Sequence, residues 1–104
     1  MIRSLDESNF DSEISNGLFL VDFYADWCGP CKAMMPTLEE VNSNAHNIFK
    51  VDITKNSNIA KRFGIRSIPF LGVFKNGTLV EQSIGIKDKA AIIEMLERHE
   101  STKT

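Results

Sequence analysis

The chain has 104 residues, of which 42% are hydrophobic and 25% charged, so we expect one domain, residues 1–104, with a buried core. A formal net charge of −2 argues against nucleic acid as a partner, because a phosphate-binding surface normally carries a basic excess. An acid, Asp6, precedes any apolar run, and no run approaches roughly 18 residues, so we expect neither a secretory signal nor a membrane segment.

The N-terminal half shows strand and helix patterns in turn. A short strand at residues 2–5 and a short helix at residues 9–14 come first. The run from Leu18 to Ala25 is apolar apart from one acid, which is typical of a strand covered on both faces. Spacings of three and four then predict a helix from about Gly29 to Asn44, with a kink at Pro36. Its apolar face holds Cys31, Met34, Leu38, Val41 and Ala45.

The C-terminal half predicts a strand at residues 47–53 and a short helix capped by Asn56 or Ser57. Strands at residues 70–75 and 78–84 flank Asn76-Gly77, the dipeptide of a tight hairpin. Asp88 is the expected cap of a last helix. Because a helix separates the second and third strands, these two should be parallel, and the hairpin should add an antiparallel edge.

Both cysteines of the chain lie two residues apart, at the predicted junction of a strand and a helix. Cys28 precedes the helix, where unpaired N–H groups and the helix dipole favour a thiolate over a thiol. Cys31 is one turn further on, close enough for a disulfide that opens and closes without refolding. Pro30 fits the first turn of the helix. Since we expect a cytoplasmic location, these features favour a redox-active pair.

Two alternative interpretations of the cysteine pair are open. Half of a zinc site would need about two further ligands. Only His46 and His99 are available, far apart and without a ligand-spacing motif, so we expect no metal. A static structural disulfide is the second alternative, but a chain of this size does not need one.

Asp22 lies within the apolar strand, where burying an ionised carboxylate is unfavourable. Desolvation would raise its pKa toward neutrality, which suits a proton acceptor for a thiol. The alternative is an exposed acid at a strand edge.

Several motifs in order resemble the thioredoxin family. They are Trp27-Cys28-Gly29-Pro30-Cys31-Lys32, Asp22, Lys50-Val51-Asp52, the stretch from Phe63 to Pro69, Phe74-Lys75-Asn76-Gly77 and Gly85. The resemblance covers about residues 2–99. It implies an α/β thioredoxin fold: a central mixed β-sheet of about five strands flanked by about four helices.

The resemblance also implies roles for individual residues. Asp22 would take the proton of Cys31, with Lys50 as its basic partner and Gly29-Pro30 tuning the redox pair. Pro69 would follow a cis peptide bond and present the backbone of Ile68 to an extended substrate. The residues expected to form an apolar substrate-binding rim are Trp27, Gly64, Ile65, Ile68, Pro69, Gly85 and Ile86. For the isoleucines, core packing is an equal alternative.

The function implied is a monomeric, cytoplasmic protein-disulfide reductase that maintains cell redox balance. Cys28 would attack a substrate disulfide, Cys31 would resolve it, and thioredoxin reductase would restore the dithiol, so the chain itself needs no cofactor. The alternatives are a disulfide oxidase or isomerase, which has other residues in place of Gly29-Pro30, and a docking subunit without redox activity. Tyr24, Asp26 and Phe70 depart from the common family pattern and affect the choice of partners.

Overall fold

The computed structural model describes residues 1–43 and 46–100. In chain order its elements are β1 (Arg3–Ser4), α1 (Phe10–Glu13), β2 (Leu18–Tyr24), α2 (Gly29–Asn42), β3 (Ile48–Asp52), α3 (Ser57–Arg62), β4 (Phe70–Lys75), β5 (Thr78–Ile84) and α4 (Lys89–Glu97). Within these residues, no helix has both the length and the apolar character to cross a membrane.

All five strands form one mixed sheet in the order β1-β3-β2-β4-β5. Strands β1, β3 and β2 are parallel, whereas β4 runs antiparallel to β2, and β5 runs antiparallel to β4. Asn76 and Gly77 both have positive φ, 49° and 85°, as a tight hairpin turn of this type requires. The predicted parallel pair, hairpin and mixed sheet are therefore confirmed.

The alternation of side chains along β2 divides the core into two layers. Leu20 packs with residues of α2 and α4 on one face of the sheet, and Val21 and Phe23 pack toward α1 and α3 on the other. The second layer is rich in phenylalanine: Phe10, Phe23, Phe70 and Phe74. Because neighbouring residues of a strand alternate between faces, Asp22 lies on the same face as Leu20, beneath α2.

Element boundaries differ from the predictions at several points. Strand β1 is only two residues long, although Ile2 and Leu5 on either side of it are buried. Helix α2 continues through Pro36 and is followed by Ser43 as its C-terminal cap. The predicted end of this helix at Asn44, and Ala45 on its apolar face, lie outside the described residues.

The predicted caps of α3 and α4 have different outcomes. The Asp88 side chain accepts a hydrogen bond from the Ala91 N–H, as predicted. Asn56 occupies the cap position of α3, but its side chain makes no capping bond. Its amide oxygen instead accepts from the Glu7 N–H, and its amide nitrogen donates to the Asp52 carbonyl. The side chain thus joins separate segments of the chain, which a local cap pattern does not reveal.

Charged side chains join α4 and the residues after it to β5. Glu81 accepts hydrogen bonds from Arg98 at 2.6 Å and 3.1 Å, one on each carboxylate oxygen. The ring nitrogen Nε2 of His99 lies 2.8 Å from Glu81 Oε1. The hydrogen bonds from Arg98, together with His99, lower the pKa of Glu81 to about 2. This carboxylate therefore stabilises the fold where it is ionised.

We expect Glu81→Gln to lower the free energy of unfolding by about 1 to 2 kcal/mol at pH 7, because a partly exposed charged pair is lost. Folding lowers the pKa of Glu81, so its contribution to the free energy of unfolding is fully present above pH 4.5 and is lost as the pH falls toward 2. Urea unfolding at pH 7 and pH 3 measures this difference. Glu97→Gln, at an exposed acid on α4, is the control. An equal loss in both variants would contradict the prediction.

Candidate active site

The cysteine pair lies where β2 ends and α2 begins. Cys28 is the N-terminal cap of α2, with extended backbone angles, and its sulfur accepts a hydrogen bond from the Cys31 N–H at 3.2 Å. Its own N–H donates to the Ala25 carbonyl at 3.1 Å, which closes the turn out of the strand. Pro30 lies in the first turn of the helix, as the sequence predicts.

A disulfide joins Cys28 and Cys31, with 5.3 Å between their Cα atoms. Cys28 is 5% exposed and Cys31 is 1% exposed, so Cys28 is the more accessible of the two, although both are largely covered. Ala25 packs beside them in the same small cluster, and Ile68 contributes to its cover. A partner would therefore reach the disulfide on the side of Cys28.

Asp22 is fully buried, and within residues 1–43 and 46–100 neither of its carboxylate oxygens has a hydrogen-bond partner. Burial raises the pKa of Asp22 to about 7, and the positive charge of Lys50 partly opposes this. Lys50 is the residue in register with Asp22 on the neighbouring strand β3. The interpretation of Asp22 as an exposed strand-edge acid is wrong, because its side chain lies beneath α2.

A cleft of about 240 Å³ opens beside the disulfide. Its lining includes Tyr24, Asp26, Cys31, Lys32, Met35 and Lys50. The sequence did not predict Met35 or Tyr24 as part of the site, and it placed Lys32 there only as the last residue of the motif around the cysteines. A usable signal was present, since Met35 follows Cys31 by one helical turn and Tyr24 follows Asp22 on the same face of β2. The cleft connects Cys31 with the surface near Lys50.

The residues of the predicted substrate-binding rim have different degrees of exposure. Trp27 is 72% exposed and Ile86 is 59% exposed, so the core-packing alternative is wrong for Ile86. Ile68 is half-buried against the cysteines, and Ile65 is half-buried in the phenylalanine-rich layer. Ile84 is 60% exposed at the end of β5, a feature that the sequence analysis missed. The alternation of side chains along β5 did not by itself indicate which face of this strand is exposed to solvent.

Two loops of this rim are joined at the backbone. The Ile68-Pro69 peptide bond is cis, as predicted. The Gly85 N–H donates to the Pro69 carbonyl at 2.8 Å. Gly64 and Gly85 have positive φ, 65° and 95°, which favours glycine at both positions. The loops before β4 and after β5 are therefore held together next to the cysteines.

The two histidines considered as zinc ligands lie away from the cysteine pair. His46 and His99 both line a different cleft, together with Leu18 and Lys75. Leu18 begins β2 and Lys75 ends β4, so this cleft lies at the opposite end of the sheet from Cys28. Among residues 1–43 and 46–100, no group of three or more His, Cys, Asp or Glu side chains is arranged to hold a metal ion.

Comparisons with known proteins agree with this site and fold. The family model described as Thioredoxin matches residues 1–98. A thioredoxin from Chlamydia muridarum is 41% identical over 102 residues, which cover 96% of this chain and 100% of that protein. A thioredoxin from Bacillus subtilis is 41% identical over 102 residues, covering 95% of this chain and 97% of that protein.

Solved structures show the same architecture. A mutant thioredoxin from Halobacterium salinarum superposes with a TM-score of 0.90 at 30% identity, covering 98% of this chain and 93% of that one. Plasmodium falciparum thioredoxin gives a TM-score of 0.85 at 34% identity, with 94% of this chain and 99% of that chain covered.

The mixed sheet, the flanking helices and a disulfide at the start of a helix define a thiol–disulfide oxidoreductase. Relatives at about 40% identity match almost the whole length of this chain. The chain belongs to the thioredoxin family. Its thiol–disulfide reductase activity is that of the family, and the alternatives of a docking subunit and of a disulfide oxidase or isomerase are not favoured.

We expect Asp22→Asn to raise the free energy of unfolding at pH 8 by up to about 4 kcal/mol, and to change it little at pH 4. The pKa of Asp22 is raised by folding from 3.8 to about 7, so the native carboxyl destabilises the fold progressively as the pH rises through that interval. Urea midpoints at both pH values test this. Asp26→Asn, at an exposed acid nearby, is the control. A large loss of stability in Asp22→Asn would show that Asp22 has a structural role instead.

Proposed function

We propose that this chain reduces disulfide bonds of protein substrates, with Cys28 as the attacking thiolate and Cys31 as the resolving thiol. The observation that carries this assignment is the position of the Cys28 sulfur at the start of α2, where the Cys31 N–H donates to it. A helix N-terminus favours negative charge. Cys28 is also the more exposed of the two cysteines.

The reaction is an exchange of disulfide bonds. The Cys28 thiolate attacks one sulfur of the substrate disulfide, the substrate S–S bond breaks, and the other substrate sulfur leaves as a thiolate. Cys31 then loses its proton and attacks Cys28 in the mixed disulfide. The second substrate thiolate leaves as the Cys28–Cys31 disulfide closes, so the substrate gains two electrons and this chain loses two.

Asp22 is the proposed acceptor of the Cys31 proton. Its pKa of about 7 matches a group that both takes and releases a proton near neutral pH. In the part of the chain that the structure describes, no other protein group forms a hydrogen bond with its carboxylate. Lys50, in register with it, is proposed to stabilise the ionised form. Asp22→Asn should therefore slow turnover while it raises stability, a combination that a purely structural acid would not produce.

The apolar rim is proposed to bind the polypeptide around the substrate disulfide. Trp27 and Ile86 offer exposed apolar surface, and such patches on a small protein mark binding sites. The backbone of Ile68, before Pro69, is proposed to pair with an extended substrate segment, as an added strand would. Gly64 and Gly85 shape the two loops of the rim. Gly29 and Pro30 are proposed to tune the redox pair from the exposed first turn of α2.

The remaining proposals concern the cellular context. A separate thioredoxin reductase would return the disulfide to the dithiol, so this chain itself would carry no cofactor. We propose that residues 1–104 form one domain, that the protein is a monomer in the cytoplasm, and that neither nucleic acid nor membrane is a partner. Reduction of insulin with NADPH and a bacterial thioredoxin reductase tests the activity directly; absence of turnover would contradict it.

Cys31→Ser should accumulate a mixed disulfide with an oxidised substrate protein through Cys28, because the resolving thiol is gone. Cys28→Ser should accumulate none. Non-reducing electrophoresis followed by peptide mass spectrometry identifies the bonded cysteine. Both variants should lack turnover in the insulin assay. Trapping by Cys28→Ser rather than by Cys31→Ser would reverse the two assignments.

Ile86→Ser should lower kcat/KM for a protein substrate about 3- to 10-fold, because exposed apolar surface beside the disulfide is removed. Val80→Ser is the matched control, since Val80 is a 40%-exposed aliphatic residue near the start of β5, whereas Ile86 follows the end of this strand. A small-molecule disulfide should be reduced equally by both variants. Equal losses at the two positions would argue against a binding role for Ile86.

A further inference from the structure

The ring of Tyr24, at the end of β2, lies next to the side chain of Lys50 on β3. The Lys50 ammonium nitrogen is 5.7 Å from the centre of the Tyr24 ring. This is within the distance of about 6 Å at which a cation is attracted to an aromatic face. Tyr24 is two residues after Asp22 on β2, so both side chains lie on the α2 face of the sheet.

The strand register brings these three residues together. Asp22 is the partner of Lys50 on β3, and Tyr24 is the partner of Asp52. Lys50 is therefore next to Asp22 across the strands and diagonal to Tyr24. Tyr24 and Lys50 also line the cleft that contains Cys31. The ring and the ammonium thus lie at the cleft beside Cys31, and the register places Asp22 next to Lys50.

Burial raises the pKa of Asp22, and the positive charge of Lys50 lowers it. Other charges around the cleft are Asp26 and Lys32, and the Asp52 carboxylate faces Tyr24 from β3. The side chains of α4 that pack in this layer are apolar: Ile92, Met95 and Leu96. The strength with which Lys50 acts on Asp22 depends on where its flexible side chain holds the ammonium.

We propose that the ring of Tyr24 is a positioning element that holds the Lys50 ammonium at the cleft lined by Cys31, next to Asp22 across the strands, where it stabilises the Asp22 carboxylate. This inference rests on the proposed function, in which that carboxylate accepts the Cys31 proton. A lysine has a compact charge on a four-carbon stem with many rotamers. Without the ring, the ammonium is free to move into water, where its effect on Asp22 is screened.

The phenol hydroxyl is distinct from the aromatic face that attracts the ammonium. Tyr24 lies near Ser4 of β1, and the two residues line a second cleft together. Tyr24→Phe, which keeps the ring and loses the hydroxyl, is therefore the conservative variant, and Tyr24→Leu removes the aromatic face while preserving an apolar side chain.

The test is a titration of the Asp22 side-chain carboxyl by ¹³C NMR in the oxidised chain, with and without Lys50→Met. Tyr24→Leu should raise the midpoint of Asp22 by about 0.3 to 0.7 pH unit, the range expected for loss of a cation–π contact. Tyr24→Phe should leave it unchanged. In the Lys50→Met background, Tyr24→Leu should cause no further shift. An equal shift in that background, or an equal shift for Tyr24→Phe, would overturn the proposal.

A measurement on the unmodified protein covers the case in which Tyr24→Leu does not fold. The Lys50 Hε protons should resonate upfield of other lysines because of the ring current of Tyr24. Ordinary chemical shifts would overturn the proposal.

The pH profile of the resolution step, followed by single-turnover kinetics, should move with the Asp22 midpoint. A midpoint that shifts while the profile stays fixed would contradict the proton-acceptor role of Asp22 and leave the placement of Lys50 by Tyr24 supported.

Discussion

The carboxyl group of Asp22 is buried beneath α2 and has no hydrogen-bond partner among the described residues, and this desolvation links the stability of the fold to the proposed proton transfer. An acid in water is ionised well below neutral pH and would hold a thiol proton poorly. Burial raises the pKa of Asp22 to about 7, at the expense of stability above that pH. The surrounding apolar layers of the sheet and helices are what make this arrangement tolerable, because they supply most of the folding free energy.

The sheet brings the other parts of the site to the same end of the molecule. Strand β2 carries Asp22 and leads directly to Cys28, and the parallel neighbour β3 places Lys50 in register with Asp22. The antiparallel pair β4 and β5 brings the loop before Pro69 next to the turn at Gly85, where one backbone hydrogen bond joins them. The residues proposed for proton transfer, disulfide exchange and substrate binding thus lie on different elements that meet at one end of the sheet, so a change in one need not distort the others.

Much of the fold and of the site was predictable from local patterns. Apolar residues at spacings of three and four identify α2, and the nearly continuous apolar run at residues 18–25 identifies β2 as a central strand. Asn76-Gly77 identifies the hairpin because positive φ is accessible to those residues. The placement of Cys28 at a helix start and the burial of Asp22 follow from their immediate neighbours. In each case the determining interactions lie within a few residues along the chain.

Tertiary structure decided the contacts between distant residues. The Asn56 side chain joins Glu7 to Asp52 instead of capping α3, Glu81 binds Arg98, and Ile84 is exposed at the end of β5. The approach of Lys50 to the ring of Tyr24 also depends on the pairing of β2 with β3. A spacing pattern encodes which face of an element a side chain occupies, but not which residue of another element lies opposite. Those partners are fixed only when strand register and helix placement bring separate segments together.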